Sequence, residues 1–458
     1  MVFSDAAARI QTEIQGNILE SYGVEYGYVR HLVVTIGHPA RARAVLKAML
    51  DPAPGTLRIT TGASYGGSCL NVGITFLGLR ALGVPERSLD TFPPEFRQGM
   101  AARAVRLGDV GTSSPETWEG GLGRAGSVHL IFTIHAKDVA SLEALWEQVV
   151  VAGSDGAYRE LSRFDGETLV DPATGKRVEH FGFRDGISQP RFEGVGRRPR
   201  APKEPVEPLG IVLLGYPTSY NVAMPVPGPA ELGHQGSFNA FRVLAQDVAG
   251  FRDYVADVAT ATGVSEELVM AKVCGRWRNG VPVGAADTFE QAEEFLASGA
   301  ELNDFDFTDD QDGRACPLGS HIRRTYPRRA QIVQRPANRT RRLVRRGVPF
   351  GPWLDPGARP ASIRERGLLG SFLCASLSTQ FEAMQYDWMN LGLLHPSITG
   401  TNDPLVGAND PAVSSFSFST EQTGWQTVRK LPEFVQTMGG AYCFLPSLRA
   451  IDWIASHG

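Results

Sequence analysis

The sequence predicts an α+β fold, and three observations carry the prediction. Strand-like runs rich in β-branched residues are each followed by a stretch with apolar residues at helical spacing. No glycine-rich phosphate loop follows any of these runs, which argues for layered α+β structure rather than a Rossmann sheet. Finally, GSVHLIFTIHAKDVA from residue 126 and GSFNAFRVLAQDVA from residue 236 match with a one-residue gap, which points to two related halves.

In order along the chain, YVRHLVVTIG (28–37) reads as a strand and PARARAVLKAML (39–50) as a helix opened by proline. SCLNVGITFLGLRALGV (68–84) repeats the unit and closes its helix on Gly83. GSVHLIFTIHAKDVASLEALWEQVV (126–150) is the third such unit, in which His129 and His135 read as core or edge histidines without a role. Residues 158–190 read as two short strands around a turn at Asp171 to Lys176, and 191–210 lose periodicity to proline, glycine and charge. The boundary belongs there, dividing the chain into residues 1–200 and 201–458. In the second part, 236–259 joins a strand to an amphipathic helix, 280–317 reads mostly as loop, and 364–394 as a long apolar-faced helix. AYCFLPSL (441–448) closes as a strand before a short helix, RAIDWIA.

With 458 residues, 42% hydrophobic and 21% charged, the chain has ample material for a core. A net charge of -4 gives no global pull toward nucleic acid, so the arginine clusters act locally. Five cysteines without a CxxC pair indicate neither a disulfide framework nor a zinc site, and a reducing compartment fits them. The polar start MVFSDAAARIQTEIQGNIL has no signal-peptide pattern, and no run of eighteen apolar residues occurs, so a cytoplasmic protein that does not span a membrane is expected. No tail for packaging into a protein shell is read after FLPSL, and the oligomeric state is left open.

The stretch NDFDFTDDQDGRACPLGSHIRRTYPRRAQI from Asn303 sets a single histidine, His321, among arginines, and RRLVRRGVPFG follows from Arg341. An imidazole that ligates or catalyses needs a carboxylate behind it, and clustered arginines need an anionic partner, so together they suggest a bound anionic cofactor. GFRDGISQP places Asp185 between Gly182 and Gly186, where the backbone can turn tightly and approach a ligand. Alone, such an aspartate reads as a turn former. The acidic run DFDFTDDQDG lacks the closing glutamate of a calcium loop and reads as a solvated loop, so no separate metal is expected. Trp388, with Tyr386 nearby, reads as core packing, with an electron relay as the alternative.

The segments IQGNIL, CLNVGITFLGLRALGV, HFGFRDGISQP with its GxxDG motif, GRWRNGVP, NDFDFTDDQDGRACPLGSHIRR, RRGVPFG, QFEAMQYDWMN, NDPLVG and YCFLPSL run from about residue 14 to 450. In them the chain resembles the dye-decolourising peroxidases. The resemblance implies a pair of ferredoxin-like α+β halves with one haem b held between them, hydrogen peroxide as oxidant, and aromatic, phenolic or dye-like electron donors. Matched motif by motif, it implies His321 as the proximal iron ligand, Asp185 as the distal acid-base residue, and Arg345, first of the doublet in RRGVPFG, as the distal arginine. It implies Asp403 of NDPLVG as the carboxylate behind the imidazole, Arg323 and Arg328 as propionate partners, and Gly182 and Gly186 as backbone that approaches the cofactor. Where the family carries an apolar run on the distal side, this chain has GLLGSFLCAS, and Gly370 and Ser371 predict a smaller, more polar wall. A haem carrier or sensor with little turnover is the rival reading; it needs His321 but neither Asp185 nor Arg345.

Overall fold

A computed structural model describes residues 10–51, 53, 55–62, 66–123, 127–195, 202–333 and 337–458. Among these, nine strands join in one sheet. They are β1 (Tyr28–Ile36), β2 (Ser68–Ile74), β3 (Leu130–Ala136), β4 (Tyr158–Glu167), β5 (Ser237–Gln246), β6 (Val344–Arg345), β7 (Val348–Phe350), β8 (Gly367–Cys374) and β9 (Val435–Leu445). The order is β4-β1-β3-β2-β9-β5-β8-β6, with β7 also on β8. The first four strands therefore lie in the order fourth, first, third, second. The rest repeat it, with β5 as first, β6 and β7 as second, β8 as third and β9 as fourth. Pairing is antiparallel throughout, and the two groups are joined by a single residue pair, Ile74 opposite Phe444. At the far side Gly166 of β4 lies so close to β7 that a Cβ there would sit 2.6 Å from Val348 Cγ1, so the sheet curls nearly shut. This is the mixed helix and antiparallel sheet that the sequence predicts.

The pleat sorts the chemistry. On β5, Phe241, Val243 and Ala245 join the main core, while Arg242, Leu244 and Gln246 line a cavity on the other face. Leu368, Gly370 and Phe372 of β8 line the same cavity, as do Val435 and Thr437 of β9. Helices α1 (Pro39–Ala48) and α2 (Val139–Gly153) follow β1 and β3, and α3 (Val248–Thr262), capped by Asp247, follows β5. The sequence match between 126 and 236 pairs β3 with β5, the third strand of one group with the first of the other. It reports the recurring strand-helix unit rather than the register of a duplication.

Two local readings are corrected. Residues 367–374 of the expected long helix form β8, because a continuously apolar run buried on both faces carries no period that tells strand from helix; the helical part is confined to π-type turns over Leu377–Glu382 and Met384–Asn390. Within 158–190 there is one ten-residue strand, and the turn at Asp171 to Lys176 is flanked only by an isolated bridge between Val170 and Arg177. Residues 280–317 are mostly loop, as expected, interrupted by a helix, Phe289–Ala297, capped by Thr288. The boundary expected at residue 200 lies outside the described residues.

Candidate active site

One side of the cavity is built on α4 (Glu266–Cys274) and α5 (His321–Thr325). Gly275 ends α4 at φ +95, a left-handed conformation suited to glycine, and a Cβ there would collide with Ile322. Ser320 Oγ donates to the carbonyl of Lys272 at 2.5 Å, which docks the start of α5 on α4. Arg324, buried on α5, donates to the carbonyls of Gly319, Trp388 and Thr401. This brings the 401–406 segment against α5, and His321 Nδ1 donates to Asp403 Oδ2 at 3.0 Å. Asp403 is fully buried, and its other oxygen accepts from the amides of Leu405 and Val406. Burial pushes its carboxyl up, but His321, Arg324 and the Val406 amide outweigh burial and hold it below the usual range. With Nδ1 committed, Nε2 is the nitrogen left to His321 for a ligand on the cavity side.

The facing wall comes from the 179–188 loop and the sheet. Gly182 and Gly186 adopt φ +93 and +77, and neither lines the cavity; their role is to turn the chain that carries Asp185. Arg345 stands on β6 opposite Phe372 of β8, its amide bound to Gln189 Oε1 and its Nη2 to the Ser188 carbonyl. Its Nη1 lies 3.6 Å from Asp185 Oδ1, an ion pair whose side chains keep 41% and 47% of their surface open. Arg346, the alternative in the doublet, is partly buried and donates to the carbonyls of Asn17, Ile18 and Arg345.

The cavity measures about 310 Å³ and brings together His321, Asp185, Arg345 and Arg328. Its apolar walls include Leu343, Phe372, Met384 and Leu405. Arg328 is spent in part on the carbonyls of Asn303 and Phe305. Arg323 does not line the cavity: its guanidinium pairs with Asp310 and stacks over Phe307. The acidic run is accordingly structural in part, with Asp310 also accepting the amides of Ala315 and Cys316. Trp388 is buried under Arg341. Gly370 faces the cavity, but the Phe372 ring leans into the space it leaves, and Ser371 points to the opposite face beside Asn239.

Sequence reasoning missed Glu179, Gln246, Arg242 and Asp109, all of which line the cavity. Arg242 is buried and pairs with Asp109 and Thr437. Each lies far along the chain from its partner, and no local spacing marks the pairing; Glu179 alone had a signal, its place directly before the HFGFRDG motif.

No protein-family model matches the chain. A curated relative, Peroxidase 2 of Mycetinis scorodonius, is 30% identical, with 98% of this chain and 89% of the relative covered. A multifunctional dye peroxidase of an Amycolatopsis species is 29% identical over 96% and 95%. A solved dye-decolorizing peroxidase in complex with 2,6-dimethoxyphenol superposes with a TM-score of 0.78 at 25% identity, covering 97% of this chain and 99% of that one. Another, in complex with cyanide, gives 0.80 at 26%.

Proposed function

Since the chain belongs to the dye-decolourising peroxidase family, and is therefore a hydrogen-peroxide-dependent oxidoreductase, we propose that His321, Asp403, Asp185 and Arg345 divide the work of peroxide reduction around one haem b. Members of the family are haem-dependent, and the donor set here suits that group: a carboxylate-backed imidazole, arginines and apolar walls around one cavity. When bound, the haem stores the two oxidising equivalents of peroxide and returns them to donors one at a time.

His321 holds the metal through Nε2, and Asp403, by accepting the Nδ1 proton, fixes the tautomer and makes Nε2 a stronger donor. Asp185 takes a proton from one peroxide oxygen and returns it to the other, so that water leaves. Arg345, always charged, orients peroxide and stabilises the negative charge that develops as the O–O bond lengthens. Arg328 is the proposed partner of a propionate. The observation that carries this reading is that His321, backed by Asp403, lines the same cavity as the Asp185–Arg345 pair. Phenolic and dye-like compounds are the proposed donors, by analogy with the dimethoxyphenol complex of the relative.

Among the described residues no helix is long and apolar enough to cross a membrane. All five cysteines are free and buried, which supports a reducing compartment. The test is spectroscopic. Haem-loaded protein should show a Soret band that shifts within milliseconds to seconds of mixing with peroxide and returns when a phenol is added. A Soret band indifferent to peroxide would favour the carrier or sensor.

A further inference from the structure

Behind Asp185 sits a buried carboxyl group without a cation. Glu179 is 8% exposed and forms no ion pair among the described residues. Its Oε1 accepts the amide of Phe183 at 3.0 Å, and its Oε2 accepts the amide of Phe181 at 3.1 Å and Gln246 Nε2 at 2.7 Å. Its own amide donates to the Phe183 carbonyl, and its carbonyl accepts from Gly182, so residues 179–183 close into a small ring of backbone. Phe181 and Phe183 pack on Phe251 of α3, with the Phe181 ring centroid 4.6 Å away. Asp185 leaves this ring two residues later.

We propose that Glu179 is the positioning residue of Asp185: its carboxyl ties the Phe181 and Phe183 amides to the Gln246 side chain of β5, and so fixes where the turn presents Asp185 in the cavity. The proposal rests on the reading of Asp185 as the proton carrier. An apolar side chain would fill the same space without burying an unpaired acid, so retention of a carboxyl needs a reason. The bonds supply one, since no apolar residue can bind two loop amides and the sheet together.

The partner is suited to the task. Gln246 Oε1 is buried and has no hydrogen-bond partner among the described residues. Should Glu179 take up a proton, the Gln246 amide needs only to turn over for Oε1 to accept it, so the tie persists in both states. Burial pushes Glu179 up to about 7, against the pull of Gln246 and the two amides, and the Asp185 charge adds to the rise. The titratable groups facing it are Asp185 and, from α4, the Cys274 thiol.

The experiment uses haem-loaded Glu179→Ala, Glu179→Gln and Asp185→Asn, with peroxide mixing rates across pH and hydrogen exchange of the Phe181 and Phe183 amides. Glu179→Ala should keep its haem content, lose amide protection and react with peroxide about 10–100-fold more slowly, the scale of a misplaced catalytic group. Glu179→Gln, which resembles the neutral acid and keeps an acceptor for the loop amides, should restore most of both. Wild-type protection and rate in Glu179→Ala overturn the proposal. If Glu179→Ala does not fold, unprotected Phe181 and Phe183 amides in the wild-type protein overturn it. A wild-type rate in Asp185→Asn overturns instead the reading of Asp185, while the amide protection still reports on Glu179.

Discussion

Asp403 reaches His321 with one oxygen and two backbone amides with the other, so Asp403→Asn, with a single oxygen, can serve the amides only by turning its NH2 toward Nδ1, which loses its acceptor. Haem affinity should fall about 10–100-fold, read by haem titration of the apoprotein. His321→Ala removes the donor itself, and haem content after purification should collapse. Unchanged content would end the ligand assignment. On the other wall, Arg345→Leu should slow the peroxide step about 10²- to 10³-fold with haem retained, and Asp185→Asn should slow it as well. A near-wild-type rate in Asp185→Asn beside a collapse in Arg345→Leu would hand the proton transfer to Arg345 and a water. At this scale the sequence was legible where a residue sits in its own short motif, as His321, Asp185, Arg345 and Asp403 do. It was not legible where the partner decides. Arg323 stands two residues from His321, yet it turns to Asp310, and no spacing announces that choice.

On β8, the two glycines have opposite meanings. A Cβ on Gly367 would lie 1.9 Å from the Leu244 carbonyl of β5, so Gly367→Ala should part the two strands and lower stability by about 1–3 kcal/mol, measured by urea denaturation. Gly370 is crowded only by the Phe372 ring, at 2.6 Å, a movable neighbour. Gly370→Leu should therefore leave the fold in place and push that ring toward the cavity, slowing peroxide access more than it lowers thermal stability. Equal rates in this variant and wild type would show that the ring finds another place to rest. The strand-helix units at 28, 68, 126 and 236 were readable because each shows its own period. β8 was not, since both its faces are buried and its identity as a strand is settled by β5, more than a hundred residues earlier.

For the molecule as a whole, Glu179 also predicts a slope of stability with pH. Its folded value, about 7, lies above its ordinary 4.5, so the folded state binds the extra proton between these values. Stability from this group is therefore complete below pH 4.5 and is lost as pH rises through 7, by about 3 kcal/mol at most. The buried histidines His31, His135 and His180, held down to about 3, 4 and 4 by burial, act in the opposite sense, and their contribution is lost as pH falls from 6.5. Glu179→Gln should thus gain on wild type between pH 5 and pH 8 in urea midpoint. A constant difference across that range would show that the carboxyl does not titrate there.

The order of the strands has a consequence for biosynthesis. β5 lies in the interior of its strand group, yet both of its neighbours, β8 and β9, come later in the chain, and β9 follows about 200 residues behind it. At about 5–20 residues per second, the growing chain carries β5 with an unpaired edge for roughly 10–40 s. Val435 and Thr437 of β9 also wall the cavity, so its last side is delivered only once β9 has been made. The cavity proposed to hold haem is therefore incomplete on the nascent chain until that point.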